Sequence, residues 1–568
     1  MMRLAETPMS DLAIKPVRTA ARCDGRWVCL VGPEVEENLS LRYLAASLQR
    51  AGYRAQILAF NGERDFSRIL AAILAGESEP LLIGLSLAFQ HRAQDFLALA
   101  MALRENGYRG HLTAGGHFAT FESEALLRNF PELDSICRFE AEETMAELAV
   151  ALETNQPLDS VAGLAFHRDG DIVFAAPRPL PKLDHLPWPD RTGEPARALG
   201  HPIMPLVGSR GCYGHCHYCC IAAWHEASGQ GKRFRLRGVE DLADEMAEQQ
   251  QARGIDIFVF HDDNFFLPRP EASLERINAL ADALAARGVR RFATVVKARP
   301  NDVDHTVFAA LVERLHCLRA FVGFESDTPA GLATLGRNSQ VEHNRHALEV
   351  VRSLGLYIGF NLLLFDPDTD LHGIASNVAF MRCAADYPFC VGRVELYAGT
   401  PMLSSMQQQG RCHGDFLRRD YRLASPDVER AFRLFMGAMA ARNFGDDSSV
   451  LRLSTVRFEI EACRFFHPTV YRNEWRARAV AMTQRLSLHT ADVLAAIVER
   501  CSSGKAPAED EAMASDLALA CGQVDQQVVA EAQALAVEMS TAVGQTACDG
   551  RHVRENLIGF PLDRRIAP

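Results

Sequence analysis

The chain has no run of about eighteen apolar residues of the kind that spans a bilayer. Its start, "MMRLAETPMSDLAIKPVRTAARCDG", carries acids and lacks the apolar core of a secretion signal. The expectation is a cytoplasmic protein with no membrane partner. Positive charge is also scarce: 60 Lys and Arg against 72 Asp and Glu leave a formal charge of -12 and a pI near 5.9. A nucleic-acid partner, which needs surplus cations to displace counterions, is not expected. No GxGxxG follows the first apolar run, so a dinucleotide is not favoured either. Repeats and low-complexity tracts are missing as well. What remains is 568 residues at 48% hydrophobic, enough for several buried cores and about two to four domains.

Fifteen cysteines are present, and eleven lie scattered (Cys23, Cys29, Cys137, Cys317, Cys383, Cys390, Cys412, Cys463, Cys501, Cys521, Cys548). In a reducing compartment these read as buried free thiols. The other four fall in "SRGCYGHCHYCC", Ser209 to Cys220.

Before that stretch, apolar runs ending near Pro33, Phe60, Leu87, Gly116 and Phe139 alternate with helical patterns such as "NLSLRYLAASLQRAGY". Five βα units imply a parallel, doubly wound sheet over 26–155, Rossmann-like, with ligands expected beyond the carboxyl ends of its strands. Residues 1–25 form an extension. Over 156–199, "GLAFHRDGDIVFAAPRPLPKLDHLPWPDR" reads as a hairpin around an Asp-Gly turn, then a Pro-rich linker. Six further units follow over 200–425: "MPLVGS", "DIFVFHDD", "RFATVVKA", "LRAFVGFES", "LYIGFNLLLF" and "VGRVELYAG". They suit a partial (β/α)6 barrel whose chemistry collects at the carboxyl-terminal mouth. Residues 426–568 turn helical, an all-α region expected to cover that mouth and to contribute to substrate choice.

Cys212, Cys216 and Cys219 follow C-x3-C-x2-C, a compact loop able to hold three corners of an iron-sulfur cluster and leave one iron open to substrate. A zinc site using these with Cys220, His215 or His217 is the competing reading, although no second C-x2-C follows nearby. "HDDN", Asp262 to Asn264, could be a turn and helix cap, and Glu325 with Arg299 an ordinary barrel-mouth ion pair.

Taken together, "GSRGCYGHCHYCC", "FHDDNFF", "VGFESDTPAGLATLGR" and "YIGFNLLLFDPDT" resemble, in order, the motifs of cobalamin-dependent radical S-adenosylmethionine enzymes. "ENLSLRYLAASLQRAGY", "IGLS" and "AGGHFAT" resemble the cobalamin domain of that family. The matches run from about Arg26 to about Pro401. The resemblance implies a 4Fe-4S cluster on Cys212, Cys216 and Cys219, with Cys220 left out. It implies S-adenosylmethionine held by Tyr218 (adenine), Asp262, Asp263 and Asn264 (amino group), Lys297 or Arg299 (carboxylate), and Glu325 with Ser326 (ribose). Cobalamin contacts are implied for Asn38, Ser86, Gly115, Gly116, Glu140 and Glu142, with His117 in a packing role. The chain departs from the family where "FEAE", Phe139 to Glu142, stands for Gly-Glu-Gly-Glu, and it has no Asp-x-His-x-x-Gly motif. The implied activity is methyl transfer to an unactivated carbon of a small molecule, fed by an external one-electron reductant of flavodoxin or ferredoxin type. Ring contraction or oxidative cyclisation is the alternative, and a non-catalytic cobalamin or iron-sulfur module the second.

Overall fold

A computed structural model describes residues 27–76, 78–229, 232–445, 448–504 and 507–544. The extension 1–25, Cys23, Cys548 and the stretch after 544 lie outside the described residues. Five strands, β1 (Trp27–Gly32), β2 (Arg54–Ala59), β3 (Leu82–Ser86), β4 (His111–Gly115) and β5 (Ser135–Cys137), pair in parallel in the order 2-1-3-4-5. All six residues of β1 are buried, as expected of a strand covered on both faces. Two apolar layers flank it, one around Phe96 and Leu126, the other around Leu41 and Leu148.

The hairpin read as leading into a linker is instead part of this sheet. β6 (Leu164–Arg168) and β7 (Asp171–Phe174) add antiparallel to β5 and extend its edge. Their turn is Asp169-Gly170, both at positive φ (53° and 88°), the geometry that matches the twist of a two-residue hairpin.

The second sheet runs β16-β15-β14-β13-β12-β9-β8. β8 (Ala196–Ala198) is antiparallel, while β9 (His201–Leu206), β12 (Ile257–Phe260), β13 (Ala293–Ala298), β14 (Cys317–Val322), β15 (Tyr357–Phe365) and β16 (Phe389–Arg393) are parallel. A small ribbon, β10 (Ser209–Arg210) with β11 (Arg235–Leu236), lies beyond the end of β9. This is a curled half-barrel of six βα units.

The helices Pro426–Phe444, Ser449–Phe466, Asn473–Ser502 and Asp510–Val543 form the expected all-α region, and part of it packs away from the mouth. Besides one another and the helix Leu371–Cys383, these helices meet the amino-terminal ends of barrel strands. The Tyr357 hydroxyl at the start of β15 donates to the Ser454 carbonyl at 3.2 Å, and Arg476 Nη2 donates to the Gly355 carbonyl at 2.7 Å. His201, the first residue of β9, stacks on Phe466 at 4.0 Å and pairs with His467 at 2.9 Å. The first helix reaches the carboxyl side, where Phe432 and Phe435 meet Phe365. Ser449–Phe466 is a floor: even its Arg457, Glu459 and Glu461 are at most 2% exposed. Its charged residues are sheltered by polar contacts, such as Arg457 Nη1 to the Asp386 carbonyl at 2.8 Å and Arg476 Nε to Glu461 at 3.1 Å.

The mouth is faced by the first sheet. Arg419 of the barrel pairs with Glu122 at 2.6 Å, Arg191 with Glu37 at 2.5 Å, and Phe416 stacks on Phe118. The carboxyl ends of both parallel sheets therefore point at each other. Among the described residues no helix is long and apolar enough to cross a membrane. Of the scattered cysteines most are buried free thiols as expected, whereas Cys383 is exposed and Cys412 half-buried.

Candidate functional site

The cysteine loop leaves the half-barrel after β9 and is pinned on three sides. Gly211 N donates to Asp263 Oδ2 at 2.9 Å, His217 N to the Leu335 carbonyl at 2.9 Å, and Met402 N to the His217 carbonyl at 3.0 Å. Burial pushes the Cys212 and Cys219 thiols up, the latter far up, and Cys220 to about 12. An iron that displaces the thiol proton would offset that cost. Among the described residues no three His, Cys, Asp or Glu side chains converge on a single ion-sized point. Gly214 leaves room for the Arg299 guanidinium, with which any Cβ there would collide.

Arg337 ties the loop to the opposite strand ends. Its Nη1 lies 3.6 Å from Cys216 Sγ and 3.5 Å from the Tyr218 hydroxyl, and its Nη2 donates to the Gly323 carbonyl. Burial alone would lower its pKa, but Tyr218, Cys216 and Glu325 hold it above the usual arginine value. Arg337 closes the quoted motif "VGFESDTPAGLATLGR", yet it was not among the residues expected in the site; a buried cation three dozen residues past the barrel's third strand has no sequence signal beyond that motif.

The residues expected around S-adenosylmethionine gather at the same strand ends, in two groups. Glu325, Asn264 and Arg299 offer unspent valence: Glu325 Oε2, Asn264 Oδ1 and Arg299 Nε are buried with no hydrogen-bond partner in the protein, which fits a polar ligand. Glu325 also holds a left-handed backbone (φ 65°), and burial raises its pKa against the pull of Arg337. Strain of this sort in a non-glycine residue collects at ligand sites. Lys297 lies within electrostatic reach of Asp263. Asp262, by contrast, is committed to the protein: Oδ1 accepts from Gly208 N at 2.7 Å and Oδ2 from the Ser209 hydroxyl at 2.8 Å. Burial lifts it to about 6. Asp262 shapes the loop more than it meets a ligand. Ser326 is buried, its hydroxyl 3.2 Å from that of Thr328.

Across the junction, the residues expected to meet cobalamin divide likewise. Ser86 and Gly115 are register partners at the ends of β3 and β4. Gly116 has φ 108°, and a Cβ there would lie 2.9 Å from the Ala88 backbone, so its glycine is required by packing alone. His117 is neutral, driven to about 4 by burial, with its ring 5.0 Å from Trp224 of the helix after the cysteines. Asn38 caps the helix Leu39–Arg50, accepting from Ser40 N at 3.1 Å and donating to the Pro33 carbonyl at 2.9 Å. Glu140 and Glu142 point to arginines, not into the junction: Glu140 meets Arg210 and Arg235, and Glu142 meets Arg210. Phe139 keeps the left-handed backbone (φ 59°) that a glycine would take, and its ring packs 5.5 Å from Trp224.

Between the facing strand ends lies a small, tight pocket lined by Ala88, Gln90, His117, Phe121, Cys220 and Tyr397, among others. A corrin would need the junction to widen, while the small residues and the neutral histidine on its first-sheet wall suit one.

Residues 25–149 match the family model for the B12 binding domain. An uncharacterized methyltransferase of Pyrococcus horikoshii is 25% identical over 376 residues, covering 65% of this chain and 77% of that protein. The anaerobic magnesium-protoporphyrin IX monomethyl ester cyclase of Synechocystis sp. is 28% identical over 325 residues, 55% of this chain and 62% of that one. Among solved structures, the cobalamin-dependent S-adenosylmethionine radical enzyme OxsB with aqua-cobalamin bound superposes with a TM-score of 0.60 at 17% identity, over 94% of this chain and 83% of that one. The fold and the junction thus set a B12 binding domain mouth to mouth with a half-barrel, an architecture similar to that of the cobalamin-dependent S-adenosylmethionine radical enzyme above.

Proposed function

We propose that this protein is a radical S-adenosylmethionine methyltransferase that methylates an unactivated carbon of a small molecule. The observation that carries the reading is the junction: the cysteine loop on one sheet's carboxyl ends faces the B12 domain's β3 and β4 ends across a shared cavity. Bound there, a 4Fe-4S cluster, S-adenosylmethionine and cobalamin would supply one-electron cleavage of a sulfonium and a transferable methyl group.

In this reading Cys212, Cys216 and Cys219 hold the cluster and Arg337 keeps Cys216 and Tyr218 in place. Tyr218 lies against adenine. Glu325, with its unpaired oxygen, accepts from ribose hydroxyls beside Ser326. Asn264 and Asp263 orient the amino group, Arg299 or Lys297 the carboxylate, and Asp262 fixes the loop that carries them. On the other wall Ser86, Gly115, Gly116 and His117 face cobalamin. The protein's part is to bind, orient and keep water from the reacting carbon. Electrons come from a flavodoxin- or ferredoxin-type reductant.

One observation favours a second reading without methylation: the similarity to a cyclase is about as strong as that to a methyltransferase. Reconstituted protein, incubated anaerobically with reductant and candidate substrates, separates the two. S-adenosylhomocysteine formed together with 5'-deoxyadenosine supports methyl transfer. 5'-Deoxyadenosine with an altered but unmethylated product supports the alternative, and no cleavage of S-adenosylmethionine at all sinks both.

A further inference from the structure

The cysteine loop spans 211–234 and is closed at its neck by the ribbon β10–β11, in which Arg210 stands directly opposite Arg235. Like charges in that position repel. They are held together by a carboxylate from the other domain. Glu140 Oε2 accepts from Arg210 Nη1 at 2.9 Å and from Arg235 Nη1 at 3.2 Å, while its Oε1 accepts from Arg235 Nη2. Glu142 Oε1 sits 2.6 Å from Arg210 Nη2. The Tyr43 ring lies beneath the Arg210 guanidinium at 4.8 Å. Both carboxylates are nearly buried, with side chains 5% and 7% exposed.

We propose that Glu140 and Glu142 are positioning residues: through Arg210 and Arg235 they lock the neck of the cysteine loop to the B12 domain and so fix the spacing of the two cofactor-bearing sheets. Arg235 Nη1 also donates to the Pro181 carbonyl at 2.6 Å. Arg210 is two residues from Cys212, and Glu140 and Glu142 lie three and five residues past the end of β5, so the pairs join the loop that carries the cysteines to the strand ends of the first sheet. The spacing matters because reacting atoms must meet at about 3–3.5 Å, and a misplacement of about 1 Å can cost a hundredfold in rate. Phe139, packed on Trp224, adds an apolar contact beside the lock.

The proposal rests on the methyl-transfer reading for its kinetic test and is independent of it for its structural one. In the full-length Glu140→Gln/Glu142→Gln protein, which keeps shape and loses charge, hydrogen exchange of 209–212 and 233–237 should rise at least about tenfold while cluster and cobalamin content stay at wild-type levels. Methylated product per 5'-deoxyadenosine should fall at least about tenfold. What coupling remains should weaken further with added salt, whereas wild-type coupling, resting on buried pairs, should not. Arg210→Lys, able to satisfy one carboxylate at a time, should fall between wild type and Arg210→Met. Unchanged exchange and unchanged coupling in the Gln/Gln protein would overturn the proposal. Loss of the cluster itself in that protein would also overturn it, by making the pair part of cluster binding. If wild type makes no methylated product, the function reading fails and exchange alone judges the lock.

Discussion

Replacing Arg337 with Met removes the one guanidinium that touches both Cys216 and Tyr218, and its cost follows from what it leaves behind. Glu325 is 8% exposed with one oxygen already unpaired, and the charge that counters its burial is Arg337. Removing one partner of a buried charge pair costs about 3–5 kcal/mol. No direct hydrogen bond joins these two, which argues for the low end, but the Gly323 carbonyl also loses its guanidinium donor, worth about 1–3 kcal/mol when left unmet. A loss of about 4 kcal/mol is expected, a large share of the 5–15 kcal/mol of an ordinary domain. The assay is urea denaturation of the cluster-free protein by intrinsic fluorescence, comparing midpoints at constant slope. The pair argument makes a sharper demand: Arg337→Met/Glu325→Gln should recover most of the electrostatic part and leave about 1–2 kcal/mol. A single variant costing less than about 1 kcal/mol, or a double variant no milder than the single, would refute the reasoning.

Two further expectations concern the loop and the helical region. Alanine at Cys212, Cys216 or Cys219 should abolish iron-sulfur absorbance and S-adenosylmethionine cleavage, while Cys220→Ala should keep most of both; an intact cluster in Cys219→Ala would show the ligand set to be wrong. Truncation before Pro426 should give insoluble protein, because buried side chains at the strand starts, such as Tyr357, would lose their cover at roughly 1.5–3 kcal/mol per large side chain; a soluble fragment that binds a cluster would show the floor to be dispensable.

The alternation of apolar runs and helical stretches was enough to read eleven parallel strands, because strands covered on both faces are continuous apolar runs and little else in a chain is. What periodicity does not carry is which end of a strand a later segment will meet. The helices after Pro426 are expected over the mouth, and part of them packs instead against the starts of the strands, since an apolar helix face packs equally well on either rim. Burial of the charged residues in Ser449–Phe466 leaves no mark in the sequence either: Arg457 and Glu461 are sheltered by partners such as Thr483 and Arg476. The cysteine loop stood out in the sequence because its spacing is unusual in itself. Glu140 and Glu142 were assigned by their place in a loop, but a carboxylate's partner is set by whichever cation the other domain brings to it. The hairpin β6–β7 was recognised and its attachment was not, because strand pairing leaves no mark on a single strand's sequence.

The buried floor helix also bears on how the protein is made. The half-barrel and its cysteine loop are synthesised before Ser449–Phe466, and until that helix arrives the lower rim of the sheet has no cover. Domains generally form as units, amino-terminal parts first during synthesis, and incompletely covered sheets are prone to associate. The B12 binding domain, with its own two apolar layers, can fold while the chain is still growing. The half-barrel is then expected to close only after the helices beyond Pro426 have emerged, later than the B12 binding domain.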